Sequence, residues 1–139
     1  MTQPSPDAGE SRLERGRRAL AAIDGQAGHN VIAALADIAP DFANYVFEFS
    51  FGDIYSRPGL DLRAREIATI AALTAMGNAA PQLKVHIDAG LNVGLTKDEI
   101  VEIMMQMAVY AGFPAALNGL FAAKEVFAAR FPAHEPGAG

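Results

Sequence analysis

Helix start and stop signals recur four times in the second half of this 139-residue chain, and they constrain its fold more than any other feature. Asp61 is placed to cap a helix over 62–76, which Gly77 would end because glycine readily closes a helix in the left-handed conformation. A proline suits the first turn of the next helix, over about 81–93, which Gly94 would end. Two helices are therefore predicted in this stretch.

Two more helices follow by the same reasoning. Thr96-Lys97-Asp98-Glu99 is a capping box, in which the threonine hydroxyl and the glutamate each satisfy a backbone donor at the helix start. The spacing predicts a helix from there to about Ala111 that ends at Gly112. Pro114 then opens a last helix that runs to about Arg130.

The first half of the chain is also predicted to be helical. Alanine, the best helix former, accounts for 28 of the 139 residues. Helices are expected over 12–23 and 27–38, with a break near Gly25. The stretch 45–51 alternates like a strand and also fits helical spacing; a lone strand would have no partner, so a helix is expected.

These elements together predict an all-α protein with one domain, a compact helical bundle. The helical domain is expected over residues 11–131. A flexible arm is expected at 1–10 and a flexible tail at 132–139, because both ends are rich in proline, glycine and small polar residues.

Charge and cysteine content exclude several function classes. With a net charge of −5, the chain lacks the excess of basic residues that is typical of a nucleic-acid binder. The chain contains no cysteine, which excludes disulfides, thiolate metal sites and thiol redox chemistry. The polar N-terminus has no signal-peptide pattern, so a cytoplasmic protein is expected.

Residues 103–123 are nearly free of charge, which raises the question of a membrane span. Gln106, Asn118, the break at 112–114 and the capping box upstream argue against a span. We expect two amphipathic helices that are buried against each other and against a partner subunit, with no membrane contact.

His86 and Glu66 are the leading candidates for catalysis, because each shares a helix stripe with apolar residues. His86 lies on a stripe with Leu83 and Val93, and Glu66 on one with Ile70. An imidazole titrates near neutrality, and burial would raise the pKa of a carboxyl group toward the range useful for proton transfer. The alternatives are a core histidine bonded to a carbonyl and a first-turn glutamate paired with an arginine.

Other polar residues are candidates for substrate binding. Gln106 and Tyr110 share one helix face, where either could hydrogen-bond a substrate or the other catalytic groups, the alternative being a satisfied interhelical pair. Arg63 and Lys84 belong to a group of cations that could hold carboxylates, the alternative being a solvated surface. No metal site is expected, because the sequence places no second ligand at metal-binding spacing from His29 or His134.

Several collinear motifs in residues 57–127 resemble the carboxymuconolactone decarboxylase family. They are RPGLDLRARE, the KVHIDAGLNVGLTKDEI block around His86, and YAGFPAA. The resemblance implies the all-helical alkyl hydroperoxidase D-like fold and ring-shaped homo-oligomers, either homotrimers or homohexamers, with sites near subunit boundaries. One branch of the family is a peroxidase with a Cys-x-x-Cys pair. Here that pair would fall on Ala79 and Gln82, so peroxidase activity is not expected.

The other branch implies a cofactor-free decarboxylase of the β-ketoadipate pathway of aromatic catabolism. Its substrate, 4-carboxymuconolactone, is a small anionic lactone whose carbonyl serves as the electron sink, so no cofactor is expected. The family histidine maps onto His86 and the helix-borne glutamate onto Glu66. On this hypothesis His86, assisted by Glu66, delivers a proton to carbon.

The remaining roles follow the same hypothesis. Arg63 or Lys84 would hold the substrate carboxylates, and Gln106 or Tyr110 would stabilise charge on the lactone oxygen. Two alternatives stay open at the level of sequence. One is a cofactor-free lyase, isomerase or hydrolase acting on another cyclic acid in a biosynthetic pathway. The other is a non-catalytic member of the family that binds a small molecule.

Overall fold

A computed structural model describes residues 9–133, and these residues form helices and no strand. The α-helices are α1 (Arg12–Ile23), α2 (Gly25–Ala34), α3 (Pro40–Tyr45), α4 (Leu62–Met76), α5 (Ala80–Asn92), α6 (Lys97–Ala111) and α7 (Phe113–Arg130), and a π-helical segment (Val46–Tyr55) continues α3. The all-helical prediction is confirmed for this part of the chain. Nearly all of the predicted arm and tail lies outside the described residues.

The capping signals predicted in the second half are present. Asp61 accepts a hydrogen bond from the Ala64 N–H at 2.7 Å, and Gly77 ends α4 with φ of 74°. At the start of α6, Thr96 Oγ1 accepts from the Glu99 N–H at 3.1 Å, and a Glu99 carboxylate oxygen accepts from the Thr96 N–H at 3.0 Å. The predicted bounds of α4 to α7 are confirmed to within about a residue.

The predicted bounds of the second helix, 27–38, are wrong at both ends. α2 begins at Gly25, directly after Asp24, because Gly25 adopts a positive φ of 56° that turns the chain without a loop. It ends at Ala34, and turns occupy 35–38 before Pro40. A residue that precedes proline is sterically disfavoured in the α conformation, and Ala39 has φ of −153°.

The stretch that alternates in sequence is helical, as predicted, but it is wound as a π-helix. α1 packs closely against this segment. A Cβ on Gly16 would collide with the Phe47 carbonyl, and a Cβ on Gly52 would lie 2.6 Å from the Arg12 carbonyl oxygen. Arg15 Nε donates to the Gly52 carbonyl at 2.7 Å, which fixes the two elements together.

Two clusters of buried apolar side chains form the core. The first joins α1, the π-helical segment, α4 and α5 through Leu20, Ile23, Phe47, Phe51, Leu62, Ala89 and Val93, with Ala19. The second joins α4 to α7 through Ile70, Leu83, Ile87, Leu95, Ile100, Met104, Ala122 and Ala123. Glu66 lies one turn from Leu62 and one turn from Ile70, so it sits where the two clusters meet.

The apolar stretch 103–123 forms parts of α6 and α7, and none of the described helices is long and apolar enough to cross a membrane. The two helices pack on each other as predicted. Large apolar side chains nevertheless remain exposed on their outer face in the single chain: Met105, Val109, Tyr110, Phe113, Leu117 and Phe121. This surface is termed the α6–α7 face below.

Candidate functional site

A cavity of about 350 Å³ lies among α1, α2, the π-helical segment and the start of α5. Most of its lining is apolar, from Leu20, Gly28, Val31, Ile32, Val46, Phe51, Pro81 and Val85. The polar lining residues are Asp24, Ser50, Tyr55, Gln82 and His86. An apolar hollow of this size with a few convergent polar groups is typical of a small-molecule site.

The π winding shapes one wall of this cavity. Residues nine positions apart lie on opposite sides of an α-helix, since nine residues make about two and a half turns. A π-helix closes its hydrogen bonds one residue later and turns more slowly. Val46 and Tyr55 therefore both face the cavity, together with Ser50 and Phe51 between them.

His86 lines the cavity, and Glu66 contacts it from behind the lining. Glu66 extends from α4 and is fully buried, while His86 extends from α5 and has 19% of its side chain exposed. His86 Nδ1 lies 3.0 Å from Glu66 Oε2, within hydrogen-bond distance. Because Glu66 engages Nδ1, Nε2 is the ring nitrogen that is left to meet a bound molecule.

Asp24 is a third ionisable group at the same site. It forms the junction of α1 and α2, where its N–H donates to the Leu20 carbonyl at 2.8 Å. Its side chain lines the cavity and is only 4% exposed. The Asp24 side chain has room at this junction because residue 28 is glycine: a Cβ on Gly28 would overlap the Asp24 Cβ.

Two of these groups, Asp24 and His86, have shifted pKa values. Burial, with the charges of Glu66 and Asp88, raises the pKa of Asp24 to about 7, against a smaller lowering by His86. Burial alone would lower the pKa of His86. The hydrogen bond that His86 donates to Glu66 and the charges of Glu66 and Asp24 outweigh burial and raise that pKa above its ordinary value.

Asp24, Glu66 and His86 are also the described residues whose donor atoms are grouped closely enough to hold a metal ion. One ligand atom from each lies within 4.8 Å of the others. Two carboxylates and an imidazole suit several divalent cations. The sequence prediction of no metal considered only His29 and His134. His29 lies away from this group, and His134 lies outside the described residues.

Tyr55 closes the site from the π-helical segment. The Thr69 hydroxyl donates to the Arg65 carbonyl at 2.9 Å, so the Tyr55 hydroxyl, 2.7 Å away, donates to Thr69. Burial and the nearby Glu66 charge raise the pKa of Tyr55. Tyr55 is therefore a neutral, oriented phenol beside the Glu66 carboxyl.

The structure brings together two of the six residues predicted for the site, Glu66 and His86. The other four do not line the cavity. Arg63 pairs with Glu99 at 2.6 Å, and Lys84 forms an ion pair with Glu125. Gln106 is exposed, and Tyr110 is 79% exposed on the α6–α7 face.

The alternative interpretations of His86 and Glu66 predict the wrong hydrogen-bond partners. The expected partner for the histidine was a carbonyl and that for the glutamate was an arginine, but each binds the other. Sequence reasoning missed Asp24, Ser50, Tyr55 and Gln82. Asp24 is signalled only by its position before Gly25 at a helix break, which is an ordinary cap position.

Comparison with known proteins places the chain among relatives of similar length. Residues 40–125 match the model of the carboxymuconolactone decarboxylase family. A 4-carboxymuconolactone decarboxylase of Acinetobacter baylyi is 36% identical over 119 residues, covering 85% of this chain and 88% of the relative. An uncharacterized 15.0 kDa protein of Paracoccus denitrificans is 32% identical, covering 86% and 90%.

A third relative has a different substrate in its name. A nitrosuccinic acid decarboxylase of Metarhizium robertsii is 31% identical over 75 residues, covering 54% of this chain and 52% of the relative. Two of the three relatives are thus named as decarboxylases. The helical fold, the match over residues 40–125 and the near full-length relatives agree: the chain belongs to the carboxymuconolactone decarboxylase family.

Proposed function

We propose that this chain is a carboxy-lyase that decarboxylates 4-carboxymuconolactone or a closely related lactone acid. The observation that supports this most strongly is that His86 lines an apolar cavity and is bonded to the buried Glu66. The 36% identical relative named for this activity supports the choice of substrate. The cavity volume of about 350 Å³ suits a small ring acid.

The proposed reaction has two steps. The bond between the ring carbon and the leaving carboxylate breaks, CO₂ departs, and the electron pair stays in the ring, delocalised onto the lactone carbonyl oxygen. His86 then gives the Nε2 proton to a carbon of the delocalised ring, and the imidazole regains a proton from water. The balance is one substrate anion plus one proton giving product and CO₂. The lactone itself accepts the electrons, so the proposal needs no cofactor.

Each protein group has a physical task in this scheme. Glu66 Oε2 fixes the orientation of the His86 ring through Nδ1 and raises its pKa, which keeps the acid form populated near neutrality. The apolar lining weakens solvation of the leaving carboxylate, which favours charge dispersed over the ring. General acid catalysis of this kind contributes about 10²–10⁴-fold.

A substrate panel tests this proposal. Purified protein is assayed with 4-carboxymuconolactone and with nitrosuccinate, following CO₂ release. Nitrosuccinate is the second candidate because a relative is named for it, and its nitro group is also an electron sink next to the leaving carboxylate. Turnover of the lactone acid is expected. Turnover of nitrosuccinate alone would change the substrate, and turnover of neither would reject the proposed activity.

We further propose that the protein self-associates, as a trimer or hexamer, through the α6–α7 face. Exposed apolar side chains cluster there, including Val109, Tyr110 and Phe113, each at least three-quarters exposed. A contiguous apolar patch of this kind is characteristic of an interaction surface. Closed rings of identical subunits bury such patches repeatedly.

A further inference from the structure

The cavity contains no obvious group to bind the carboxylates of a lactone acid. Among the described residues, its lining includes neither lysine nor arginine. Arg63 and Lys84 already pair with glutamates away from it. Among the described residues, His86 and the neutral hydrogen-bond donors of the lining are therefore the groups available to bind substrate carboxylates.

The charges of the two carboxyl groups and the one imidazole at the site indicate that one carboxyl group is neutral and can donate a hydrogen bond. Asp24 and Glu66 offer two carboxyl groups whose oxygens lie within 4.8 Å of each other and of the His86 ring. One imidazolium compensates only one carboxylate. Two buried carboxyl groups at this separation favour keeping a proton on one of them.

Asp24 is the carboxyl group that fits the neutral role. Each carboxyl group has a buried oxygen with no hydrogen-bond partner among the described residues, Oδ1 of Asp24 and Oε1 of Glu66, but Glu66 also bonds the His86 ring through Oε2. An unpaired buried oxygen is costly as an anion and less so as a protonated carboxyl group. Asp24 also lines the cavity, so a ligand there can reach its side chain.

The charged groups that face Asp24 come from α4 and α5. His86 and Asp88 face it from α5 and Glu66 from α4, and among these only His86 favours the anion. Asp88 itself is paired with Arg130 at 2.6 Å. The net effect of burial and of these three charges is to raise the pKa of Asp24 to about 7, which agrees with the geometry.

We propose that Asp24 acts as a protonated carboxyl group that donates a hydrogen bond to the carboxylate which the substrate retains after CO₂ loss. This inference rests on the proposed function and adds a substrate-binding residue to it. Asp24 lies outside residues 40–125, the stretch that matches the family model. A hydrogen bond to the leaving carboxylate would stabilise the ground state and slow the reaction, so the retained carboxylate is the productive partner.

A non-reacting probe tests the assignment. The saturated lactone (5-oxooxolan-2-yl)acetate has the ring and the retained arm but no carboxylate to lose. Its binding is measured by calorimetry at about pH 5.5 and about pH 8.5 for wild type, Asp24→Asn and Asp24→Leu, with exposed Asp37→Asn as the matched control. Uncharged γ-butyrolactone reports binding that does not involve a carboxylate.

Asp24→Asn keeps a neutral donor at every pH, whereas wild type loses it as Asp24 ionises. Between the two pH values wild type should therefore lose about tenfold more affinity than Asp24→Asn, and Asp24→Leu should bind about tenfold more weakly than Asp24→Asn at both. Because the Asp24 charge also raises the pKa of His86, His86 titrates differently in wild type and in Asp24→Asn, and repeating the pair in a His86→Gln background isolates the effect of Asp24.

The outcomes separate this inference from the proposed function. Equal pH dependence in wild type and Asp24→Asn, or equal affinity of the Asn and Leu variants, would overturn the role of Asp24. If 4-carboxymuconolactone is still turned over in that case, the proposed function stands. Failure of wild type both to bind the probe and to turn over the lactone acid would overturn both.

Discussion

His86 Nδ1 lies 3.0 Å from Glu66 Oε2, although the two residues are twenty positions apart and belong to separate helices. Glu66 is fully buried and His86 is mostly buried. A buried carboxylate is strongly destabilising without a partner. The pair is therefore a structural contact through which α4 fixes the His86 ring of α5 at the cavity wall.

Glu66→Gln should lower the pKa of His86, because the amide removes the negative charge and leaves at most a weaker, neutral hydrogen-bond acceptor. An NMR titration of the His86 ring protons measures this directly. Less imidazolium at neutral pH should reduce kcat about tenfold or more. Exposed Glu102→Gln is the control and should leave the His86 titration in place. An unchanged His86 titration in Glu66→Gln would contradict the coupling.

Asp24→Asn should stabilise the protein at neutral and alkaline pH. The pKa of Asp24 rises from 3.8 to about 7 on folding. Below pH 3.8 Asp24 is protonated in both the folded and the unfolded protein, so its burial carries no cost in charge. The free-energy cost of burying the ionised carboxylate grows as the pH rises to about 7 and is then constant. The gain should reach about 2–4 kcal/mol above pH 7.

Urea unfolding at a series of pH values measures this gain. Asp37→Asn, an exposed change of the same kind, should show no such rise with pH. A gain that is independent of pH, or a loss of stability in Asp24→Asn at pH 8, would contradict the burial of an Asp24 carboxyl at the site.

Much of the fold follows from local signals in the sequence. Caps at Asp61 and Thr96, and glycines at 77 and 112, define α4 and α6 because a helix end must satisfy its own backbone groups nearby. Glu66 and His86 could also be singled out from the sequence, since each is a polar residue on an apolar stripe, and the family resemblance implied that they act together. Local patterns of this kind depend only on neighbours in the chain.

The rest of the site depends on tertiary packing. Val46 and Tyr55 share the cavity wall only because the segment is π-wound, and apolar spacing does not separate π from α winding. Asp24 resembles an ordinary cap residue until α5 and α4 bring His86 and Glu66 against it. The ion pairs of Arg63 and Lys84 are likewise made with distant residues.

Gly16→Ala should destabilise the protein and disturb the cavity wall, because the new Cβ would collide with the Phe47 carbonyl on the π-helical segment. Backbone cannot move aside as a side chain can, so a loss of about 1–3 kcal/mol is expected. Chemical unfolding measures it. Gly59→Ala, with open space around the position, is the matched control. Equal stability of the two variants would contradict the close approach of α1 to this segment.

Val109→Glu should disrupt self-association, because it places a charge in the centre of the exposed α6–α7 face. Analytical ultracentrifugation at micromolar concentration should show wild type as a trimer or larger and the variant as smaller species. Lys124→Glu changes an exposed residue on α7 and should leave the assembly intact. A wild type that sediments as a monomer would reject the proposed interface.

The most direct test of the proposed role of His86 is to measure the turnover of 4-carboxymuconolactone by His86→Gln and by wild type. Circular dichroism verifies that the variant keeps the helical fold. Loss of the proton donor should reduce kcat by about 10²–10⁴-fold while the helical signal is retained. Exposed His29→Gln, the matched control, should keep wild-type activity. A His86→Gln variant that is as active as wild type would contradict the assignment of His86 as the acid.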